Sequence, residues 1–496
     1  MKRSVILLLL AAFVLSAVSC AGKEEAPETG TVPGPSEAAA EEEAVVPEET
    51  ERLWPDLPDK TYDGADFRFL SREVVDGFVR YYSEISSDEM NGEIMNDTVF
   101  NRTQTMETKY GIKIVDDTSG NVLGDYKNSY NAGEQNWDVI VPGYSDALTL
   151  AQSGYNADLR QIPYINTDMP WWDSSSAKSM TIGGGLFYAI GAMNTWTNSH
   201  TFAITFNKQL AADFSVDPYA MVRDNTWTLD HFKDIADKVN ADIDGNGVMD
   251  EFDRYGIIGE NYNFTCYMLA SDVFLVENDE EGYPVLNITE KFYTAANKIY
   301  DLMSTENYFR AENYSGKYAD AWTEALRANF RAGNALFHVG AICEMILYRD
   351  LDIDIGLLPM PKYDEAQQTY RHTFSNYWSS VAMVPRSSAT VDFTGHLLEA
   401  LQAESFYTTT QAYYDVILAG KVMRDRESCD MLDIIRETRT IDPELAYSFL
   451  GANSIYGNIL SAKSIDKLAS TIQSSTKKAE KSIQNLIKEY QENAGN

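Results

Sequence analysis

The residues whose types and spacing most clearly indicate a chemical role lie together in one acidic segment, DIDGNGVMDEFD, which spans residues 242–253. Aspartate or asparagine occupies its first, third and fifth positions, a glycine its sixth and an aspartate its ninth. This is the pattern of a loop that surrounds a calcium ion with oxygen ligands. The ligands that it predicts are the side chains of Asp242, Asp244, Asn246 and Asp250 and the carbonyl group of Val248. The role would be structural, and a solvated acidic turn is the alternative.

The twelfth position of this segment departs from the pattern. Asp253 stands where a calcium loop usually has a bidentate glutamate, and its shorter side chain reaches less far. Magnesium fits less well than calcium, because it tends to keep water ligands.

Motifs for covalent or metal-assisted catalysis are missing from the sequence. It contains no G-x-S-x-G, no H-E-x-x-H and no phosphate-binding loop. Its histidines have no metal-ligand spacing, and we expect each at the surface or in packing: His200, His231, His338, His372 and His396. Three cysteines form no C-x-x-C pair and are expected as buried free thiols: Cys266, Cys343 and Cys429.

Length and composition restrict the class of protein. A chain of 496 residues is long enough for two or more domains or one large two-lobed body. Hydrophobic residues make up 44% of it, so it can bury a sizeable core. The net charge of -35 repels phosphate backbones, which excludes nucleic acid as the expected partner.

The N-terminus has the features of an export signal. Lys2 and Arg3 precede an apolar run over residues 5–18, which is shorter than the roughly 20 residues needed to span a bilayer. The stretch LSAVSC resembles the lipobox of bacterial lipoproteins, with Ala17 in place of the usual leucine and Cys20 as the lipidated residue. We predict a signal peptide over residues 1–19 and a lipidated, disordered acidic tether over residues 20–59, because Glu, Pro and Ala dominate there.

Beyond the tether, short apolar runs alternate with segments of helical period. The predicted strands are residues 67–70, 137–143, 202–207, 335–340 and 381–385. Residues 229–239 place their apolar side chains on one helical face, with Thr228 as the expected N-cap. Strands alternating with helices predict an α/β fold with mostly parallel sheets, and the last apolar repeats predict closing amphipathic helices.

Five segments in order resemble a known family. WDVIVPGYSDALTLAQSGYNADL, AITFNKQL, NTWTLDHFKDIADKV, GLLPMPKYDEAQQTY and RDRESCDMLDIIRETRTIDPELAYSF are similar to segments of the extracellular solute-binding lipoproteins of bacterial ABC importers, in the sugar-binding group related to maltose-binding protein. The resemblance covers residues 62–487. It implies an α/β, two-lobed periplasmic-binding-protein-like fold of type II, with a ligand cleft between the lobes that closes by hinge motion.

The family layout implies where the chain passes between lobes. Lobe 1 would contain residues 60–203 and 356–403, and lobe 2 residues 204–355 and 404–496, including the acidic loop. Some relatives in this family use the residue at position 10 of a similar loop as a metal ligand. The resemblance therefore favours Glu251 over Asp253 as the remaining calcium ligand.

A carbohydrate cleft needs polar groups for sugar hydroxyls and aromatic rings for sugar faces. We predict the ligand-binding residues from their positions on loops at strand ends. They are Arg72, Tyr144, Asp146, Asn194, Trp196, Glu344, Trp378 and Tyr456. Any of them could instead pack in the core, and Trp171 and Trp172 are expected to pack within a lobe.

The sequence therefore predicts a monomeric, lipid-anchored protein on the extracytoplasmic face of the cell membrane. It would capture a carbohydrate of oligosaccharide size and deliver it to the membrane subunits of an ABC permease without chemical reaction. A secreted carbohydrate-active hydrolase stays as an alternative, because 75 acidic residues could supply a carboxylate pair. A peptide-binding or sensor lipoprotein of the same fold is a further alternative.

Overall fold

Two principal β-sheets organise the part of the chain that the computed structural model describes, which is residues 52–75, 81–414, 418, 423, 425–442 and 454–494. The residues from Trp54 onward group as one compact unit. The predicted signal peptide, Cys20 and most of the predicted tether lie outside the described residues. In the described ranges no helix has both the length and the apolar character needed to cross a bilayer.

The first sheet is parallel and has the order β2-β1-β3. Its strands are β1 (Ala65–Arg72), β2 (Ile112–Ser119) and β3 (Val139–Val141). The aromatic side chains of Phe67 and Phe69 in β1 are fully buried. Helices connect consecutive strands, as parallel pairing requires.

The second sheet is mixed and has the order β10-β4-β9-β5-β8. Its strands are β4 (Phe202–Asn207), β5 (Tyr255–Gly259), β8 (Tyr308–Arg310), β9 (Ala335–Ala341) and β10 (Ile355–Leu358). Strand β4 is antiparallel to both of its neighbours, whereas β5 is parallel to β8 and β9. Every residue of β4 is buried, as expected for a strand covered on both faces. A small hairpin consists of β6 (Val276–Asn278) and β7 (Pro284–Leu286).

Helices cover and connect these sheets. In chain order they are α1 (Ile94–Tyr110), α2 (Val122–Asn131), α3 (Tyr144–Gln152), α4 (Ser174–Met180), α5 (Thr195–Ser199), α6 (Lys208–Asp213), α7 (Pro218–Arg223), α8 (Leu229–Val239), α9 (Asn263–Ala270), α10 (Glu290–Met303), α11 (Ala328–Arg331), α12 (Val391–Tyr407), α13 (Thr409–Gln411), α14 (Arg426–Glu437), α15 (Ser454–Leu460) and α16 (Leu468–Ala494). A π-helix, Trp322–Arg327, runs directly into α11. Short 3-10 helices cover Leu159–Gln161, Ala311–Tyr314, Ile342–Tyr348 and Ile465–Lys467.

Two helix starts show how local sequence sets the fold. Thr228 occupies the N-cap position of α8 as predicted, but its hydroxyl makes no capping bond and lies 3.3 Å from Nδ1 of His231. Asp173 does cap α4, because its Oδ1 accepts the backbone N–H of Ser176 at 2.9 Å.

The chain passes from the first sheet to the second through α5 into β4. The predicted return near residue 356 is wrong, since that residue lies within β10, which pairs with β4. The return comes later, where Phe374 forms a bridge with Thr201, Ser380 with Gly143 and Met383 with Ile140. Residues 381–385, predicted as a strand, make isolated bridges only.

The third passage was predicted near residue 404, which lies inside α12. That helix still belongs with the first lobe, because its Glu399 accepts bonds from the indole nitrogens of Trp171 and Trp172, both at 2.8 Å. Helix α14 packs on β10 of the second sheet. We therefore place this passage between Tyr407 and Arg426.

The apolar repeats that predicted closing amphipathic helices lie in the 3-10 helix Ile465–Lys467 and in one long amphipathic helix, α16, which packs on the body. Helix α16 contacts α3 on the first-sheet side and β7 on the second-sheet side. Helix α15 packs on α9 and α10.

Candidate functional site

A cavity of about 540 Å³ lies where the chain returns from the second sheet to the first. Its walls include parts of β4, β5 and β9, the start of the π-helix, and the return segment of residues 375–378. This volume is within the range of small-molecule sites. Both lobes therefore contribute to one cavity.

Aromatic side chains supply much of the apolar lining. Trp322 stands at the start of the π-helix, and its Nε1 donates to Oε2 of Glu260 at 2.6 Å. Trp378 comes from the return segment and stacks on His200, with ring centroids 6.3 Å apart and planes 24° from parallel. Tyr377 beside it is 63% exposed. The cavity thus has an indole ring from each side, each held by a polar or aromatic neighbour.

Glu344 is a fixed anionic acceptor in this cavity. Nη2 of Arg327 lies 2.6 Å from its Oε1, and Nε2 of His338 lies 3.1 Å from its Oε2. Nδ1 of His338 is in turn 3.0 Å from the hydroxyl of Tyr348. Burial alone would raise the pKa of Glu344, but the charges and hydrogen bonds of His338 and Arg327 lower that pKa to about 2. Glu344 is therefore ionised at neutral pH.

Glu260, which directly follows β5, has the opposite character. Burial raises its pKa to about 7, and the charges of Glu344 and Glu312 add to the rise. The hydrogen bond from Trp322 and the charge of Arg327 oppose the rise only in part. Two carboxyl groups of one cavity therefore differ in protonation near neutral pH.

Of the predicted ligand-binding residues, Glu344 and Trp378 line the cavity. Arg72 lies behind the return segment, and its Nη1 donates to the carbonyl oxygen of Tyr377 at 3.0 Å, with the carbonyls of residues 378 and 379 at 3.4 and 3.3 Å. Asp146 is half-buried in the first turn of α3. Burial raises the pKa of Asp146 and the charge of Arg72 opposes the rise. Neither residue lines the cavity, and Arg72 holds the return segment from the first lobe.

The other four predicted residues are buried in packing and do not line the cavity. Tyr144 packs edge-on against Tyr188 and Phe374, with ring centroids 5.6 and 5.9 Å away. Asn194 accepts the N–H of Gly191 and donates to Ser380. Trp196 is 2% exposed, and Tyr456 stacks on Phe292 in the contact of α15 with α10. The side chain of a residue that follows a strand can point into the core as readily as into a cleft. Position after a strand therefore could not distinguish these four buried residues from residues that line the cavity.

The sequence analysis missed several residues that line the cavity, among them Glu260, Tyr262, Trp322 and Arg327. Glu260 follows a buried strand, the same position that pointed to Glu344, so that rule could have found it. Trp322 and Arg327 depend on the π-helix, which has no signature in the sequence and is often found at functional sites.

The acidic loop brings together some of its predicted ligands. Carboxylate oxygens of Asp242, Asp244 and Asp253 lie within 4.8 Å of one another. Gly247 has a φ of 82°, which glycine adopts without strain, and its N–H donates to Oδ2 of Asp242 at 2.7 Å. Asp253 is fully buried and accepts the N–H groups of Ile243 and Asp250 at 2.9 and 2.8 Å.

Glu251 does not join this carboxylate group. Its Oε1 accepts bonds from Nζ of Lys317 and, at 2.7 Å, from the hydroxyl of Tyr318. The geometry thus contradicts the preference for Glu251 over Asp253, because the Glu251 side chain pairs with a neighbouring turn. Asn246 and Asp250 use their Oδ1 atoms to accept the N–H groups of Val248 and Phe252. Among the described residues, none donates a hydrogen bond to the carbonyl oxygen of Val248.

The chain resembles solved sugar-binding proteins. A cyclo/maltodextrin-binding protein complexed with maltotetraose is 14% identical, with a TM-score of 0.56 over 86% of this chain and 98% of the other. The cyclic alpha-maltosyl-1,6-maltose binding protein from Arthrobacter globiformis is 14% identical, with a TM-score of 0.53 over 86% and 99%. The maltose/maltodextrin-binding domain from Bdellovibrio bacteriovorus bound to maltotriose is 12% identical, with a TM-score of 0.51 over 86% and 100%.

The chain has the two-lobed fold of the maltodextrin-binding proteins. The predicted fold class is confirmed. No family model matches the sequence, and no curated protein matches it either.

Proposed function

We propose that the protein captures a carbohydrate, of oligosaccharide size, in the cavity between its lobes. The observation that carries the proposal is the lining of that cavity, where Trp322 and Trp378 enter from opposite lobes and Glu344 is held as a fixed acceptor. Indole faces pack on the apolar faces of sugar rings, and a fixed carboxylate accepts their hydroxyl groups. The maltodextrin-binding proteins of the same fold were solved with such sugars.

Capture would proceed by closure of the lobes about the passages of the chain between them. The return segment carries Trp378 and Tyr377, and Arg72 of the first lobe holds its carbonyl groups. Trp322 and Glu344 are fixed to the second lobe. Closure would bring the two sets together around the sugar and exclude water.

The mechanism is binding without bond cleavage. Glu344 is ionised and engaged by two basic side chains, which suits hydrogen-bond acceptance and leaves no proton to donate. We propose delivery of the sugar to an ABC-type membrane permease, and anchoring at Cys20 on the extracytoplasmic face of the cell membrane. The sequence features at residues 1–59 support the anchoring.

We also propose that the acidic loop binds a structural calcium ion. Asp242, Asp244 and Asp253 would provide carboxylate ligands, with Asn246, Val248 and Asp250 completing the oxygen set after a small rearrangement. The close approach of three carboxylates and the turn at Gly247 fit a hard divalent cation. An ion there would neutralise charges that otherwise repel one another.

Thermal unfolding of the purified protein against a panel of oligosaccharides tests the proposed function. A ligand that binds only the folded state raises the Tm by an amount that grows with the logarithm of its concentration relative to Kd. We expect a rise with one class of sugar and recovery of that sugar unchanged. Small-angle scattering of the same complex should show a smaller radius of gyration, since closure compacts the two lobes.

Other outcomes decide between the alternatives. Cleaved sugar would establish a hydrolase and overturn the proposal. Stabilisation by peptides with no response to any sugar would move the protein to peptide capture. Two permease genes beside the coding sequence would support import, whereas a neighbouring histidine kinase gene would indicate a sensor.

A further inference from the structure

The charge balance of the cavity is acidic. Glu260, Asp320 and Glu344 line it, against a single guanidinium group, that of Arg327. Arg327 is already paired with Glu344, as is His338. An added negative charge, such as a uronic acid carboxylate or a phosphate, would meet repulsion here. A positive charge would be attracted.

Glu260 forms no ion pair among the residues that the structure describes, and the charge of Arg327, which is paired with Glu344, acts on it only from a longer distance. Within these ranges the one side chain that donates a hydrogen bond to the Glu260 carboxyl group is the indole of Trp322. A carboxylate removed from water without a counter-charge is unfavourable, and it is relieved by protonation or by a cation. A cationic ligand would supply a counter-charge directly beside the Glu260 carboxylate.

The surroundings of Glu260 favour an ammonium group in particular. Trp322 and Tyr262 both line the cavity, and cations are attracted to the faces of aromatic rings. Trp322 also positions the carboxyl group through its 2.6 Å bond. An ammonium beside Glu260 would meet a carboxylate and aromatic rings together, while the sugar ring that bears it packs on the indoles.

We infer that the preferred ligand is an amino sugar with a free, protonated amino group, and that Glu260 is the residue that selects it. This inference rests on the proposed function, since it specifies the sugar that the cavity takes. The binding residues assigned above keep their roles.

Protonation of Glu260 gives the selection a pH dependence. Since burial raises the pKa of Glu260 to about 7, an ammonium must displace a proton to pair with the carboxylate in more acidic solution. The charged or titratable groups that interact with Glu260 are Glu344, Glu312, Arg327 and the thiol of Cys266, and Asp320 and His338 line the same cavity. Affinity for an amino sugar should therefore fall from pH 7 to pH 5, by at most about tenfold per pH unit.

Calorimetric titration with matched sugars tests the inference. The probes are glucosamine, galactosamine and the β-1,4-linked glucosamine dimer and trimer, each beside its neutral and N-acetylated counterpart, together with the neutral sugar that gives the largest thermal shift. At pH 7 we expect the amino form to bind at least tenfold more tightly than its neutral counterpart. Spermidine, an amine without a sugar ring, should bind far more weakly.

Glu260→Gln keeps the acceptor for Trp322 and removes the charge. We expect this variant to lose the preference for the amino sugar, measured as the ratio of the affinities for the amino and the neutral sugar, and to lose the pH dependence of that ratio. Glu312→Gln is the matched control, because Glu312 is a half-buried acid near Glu260 that does not line the cavity. It should keep most of the preference.

The outcomes separate this inference from the proposed function. Equal or tighter binding of a neutral or N-acetylated sugar overturns the inference and leaves the proposed function standing. A preference for amino sugars that survives in Glu260→Gln removes Glu260 as the selecting residue. Spermidine binding as tightly as the amino sugar would reduce the site to an amine site. If no probe binds, the proposed function and this inference both fail.

Discussion

At the scale of single residues, the cavity shows how neighbours decide what a carboxyl group can do. Glu344 and Glu260 are the same side chain in the same cavity. Arg327 and His338 keep the first ionised, while burial beside an indole raises the pKa of the second to about 7. One is suited to accept sugar hydroxyls at any physiological pH. The protonation of Glu260 would instead depend on the charge of the proposed ligand.

Trp378→Ala and Trp322→Ala should each weaken carbohydrate binding by tenfold or more, which corresponds to at least about 1.4 kcal/mol. Each change removes a ring that lines the cavity, and the pair tests both lobes separately. Titration calorimetry with the best sugar measures the loss. Tyr456→Phe is the control, because Tyr456 is an aromatic residue that packs in α15 away from the cavity, and its affinity should be unchanged. Full affinity in both tryptophan variants would contradict the assigned cavity.

The acidic loop gives a second pair of matched variants. Asp253→Asn should abolish calcium binding, because Asp253 is gathered with Asp242 and Asp244. Glu251→Gln should keep calcium affinity and lower the Tm equally with and without a chelator, because its partners are Lys317 and Tyr318. Calcium titration and thermal unfolding distinguish the two. Loss of calcium affinity in Glu251→Gln alone would restore Glu251 as the ligand.

Which site residues could be read from the sequence depended on the range of the contacts involved. The short spacing within the loop explains why Asp242, Asp244 and Asp253 lie close together, because spacing along the chain fixes which of these oxygens can meet. The preference for Glu251 came from the family resemblance, and in the structure Glu251 pairs with Lys317 and Tyr318, which lie more than 60 positions away. Tyr144 and Trp196 failed for the same reason, since the packing partners that bury them come from elsewhere in the chain.

At the scale of elements, an ion pair joins the two lobes away from the cavity. Nε and Nη2 of Arg439, which follows α14, lie 3.0 and 2.7 Å from Oδ2 of Asp173, the N-cap residue of α4. Arg439 also donates to Asn198 in α5. The side chains of Arg439 and Asp173 are largely buried, with exposed fractions of 15% and 10%. This contact fixes α4 and α14 relative to each other.

Arg439→Met should lower the free energy of unfolding by about 3 kcal/mol, because it leaves the Asp173 carboxylate buried without its partner. Asp173→Asn keeps an oxygen for the α4 cap, and the double variant should be less destabilised than the sum of the two single variants. Urea unfolding of all four proteins measures the coupling. Additive losses would show that the two side chains do not stabilise each other.

The elements themselves were largely predictable. The apolar runs at residues 67–70, 202–207 and 335–340 are strands, and residues 229–239 form α8, because burial of one or both faces imposes a period that sequence displays. Residues 381–385 have the same composition but make isolated bridges to three different segments, so no ladder forms. The order β10-β4-β9-β5-β8 could not be derived from pattern alone, and the family resemblance implied only a two-lobed α/β fold.

At the scale of the whole molecule, a buried carboxyl group connects three segments near the passage between the lobes. Oε1 of Glu84 accepts the N–H of Trp196 at 2.6 Å, and Oε2 lies 2.5 Å from the hydroxyl of Ser380. Burial raises the pKa of Glu84 to about 7, although both bonds and the charges of Arg72 and Arg102 lower it. The folded protein therefore retains a proton that the unfolded chain loses at lower pH.

Because its pKa is raised on folding, Glu84 makes its full contribution to stability below the unfolded value of 4.5, and that contribution is lost as the pH rises through 7. Glu84→Gln should remove this loss, so the difference in unfolding free energy between variant and wild type should shift in favour of the variant by about 3 kcal/mol from pH 4.5 to pH 8. Urea unfolding across that range measures it. A constant difference would show that Glu84 stays ionised in the folded protein.

The comparison of Glu84→Gln with the wild type also separates the pH dependence of stability due to Glu84 from that due to His372. Burial lowers the pKa of His372 to about 3, so its contribution falls as the pH drops below 6.5. Both proteins contain His372, and its effect cancels in the difference.

The cavity walls come from distant parts of the chain, around residues 200, 260, 320–344 and 375–378. The last wall is present only when about three quarters of the 496 residues have been added. No shorter N-terminal fragment contains all the residues that line the cavity, so the proposed ligand could not act as a folding template for the early chain. The ligand should leave the refolding rate unchanged and slow only the unfolding rate, because it binds the native state and not the species that precede it in folding.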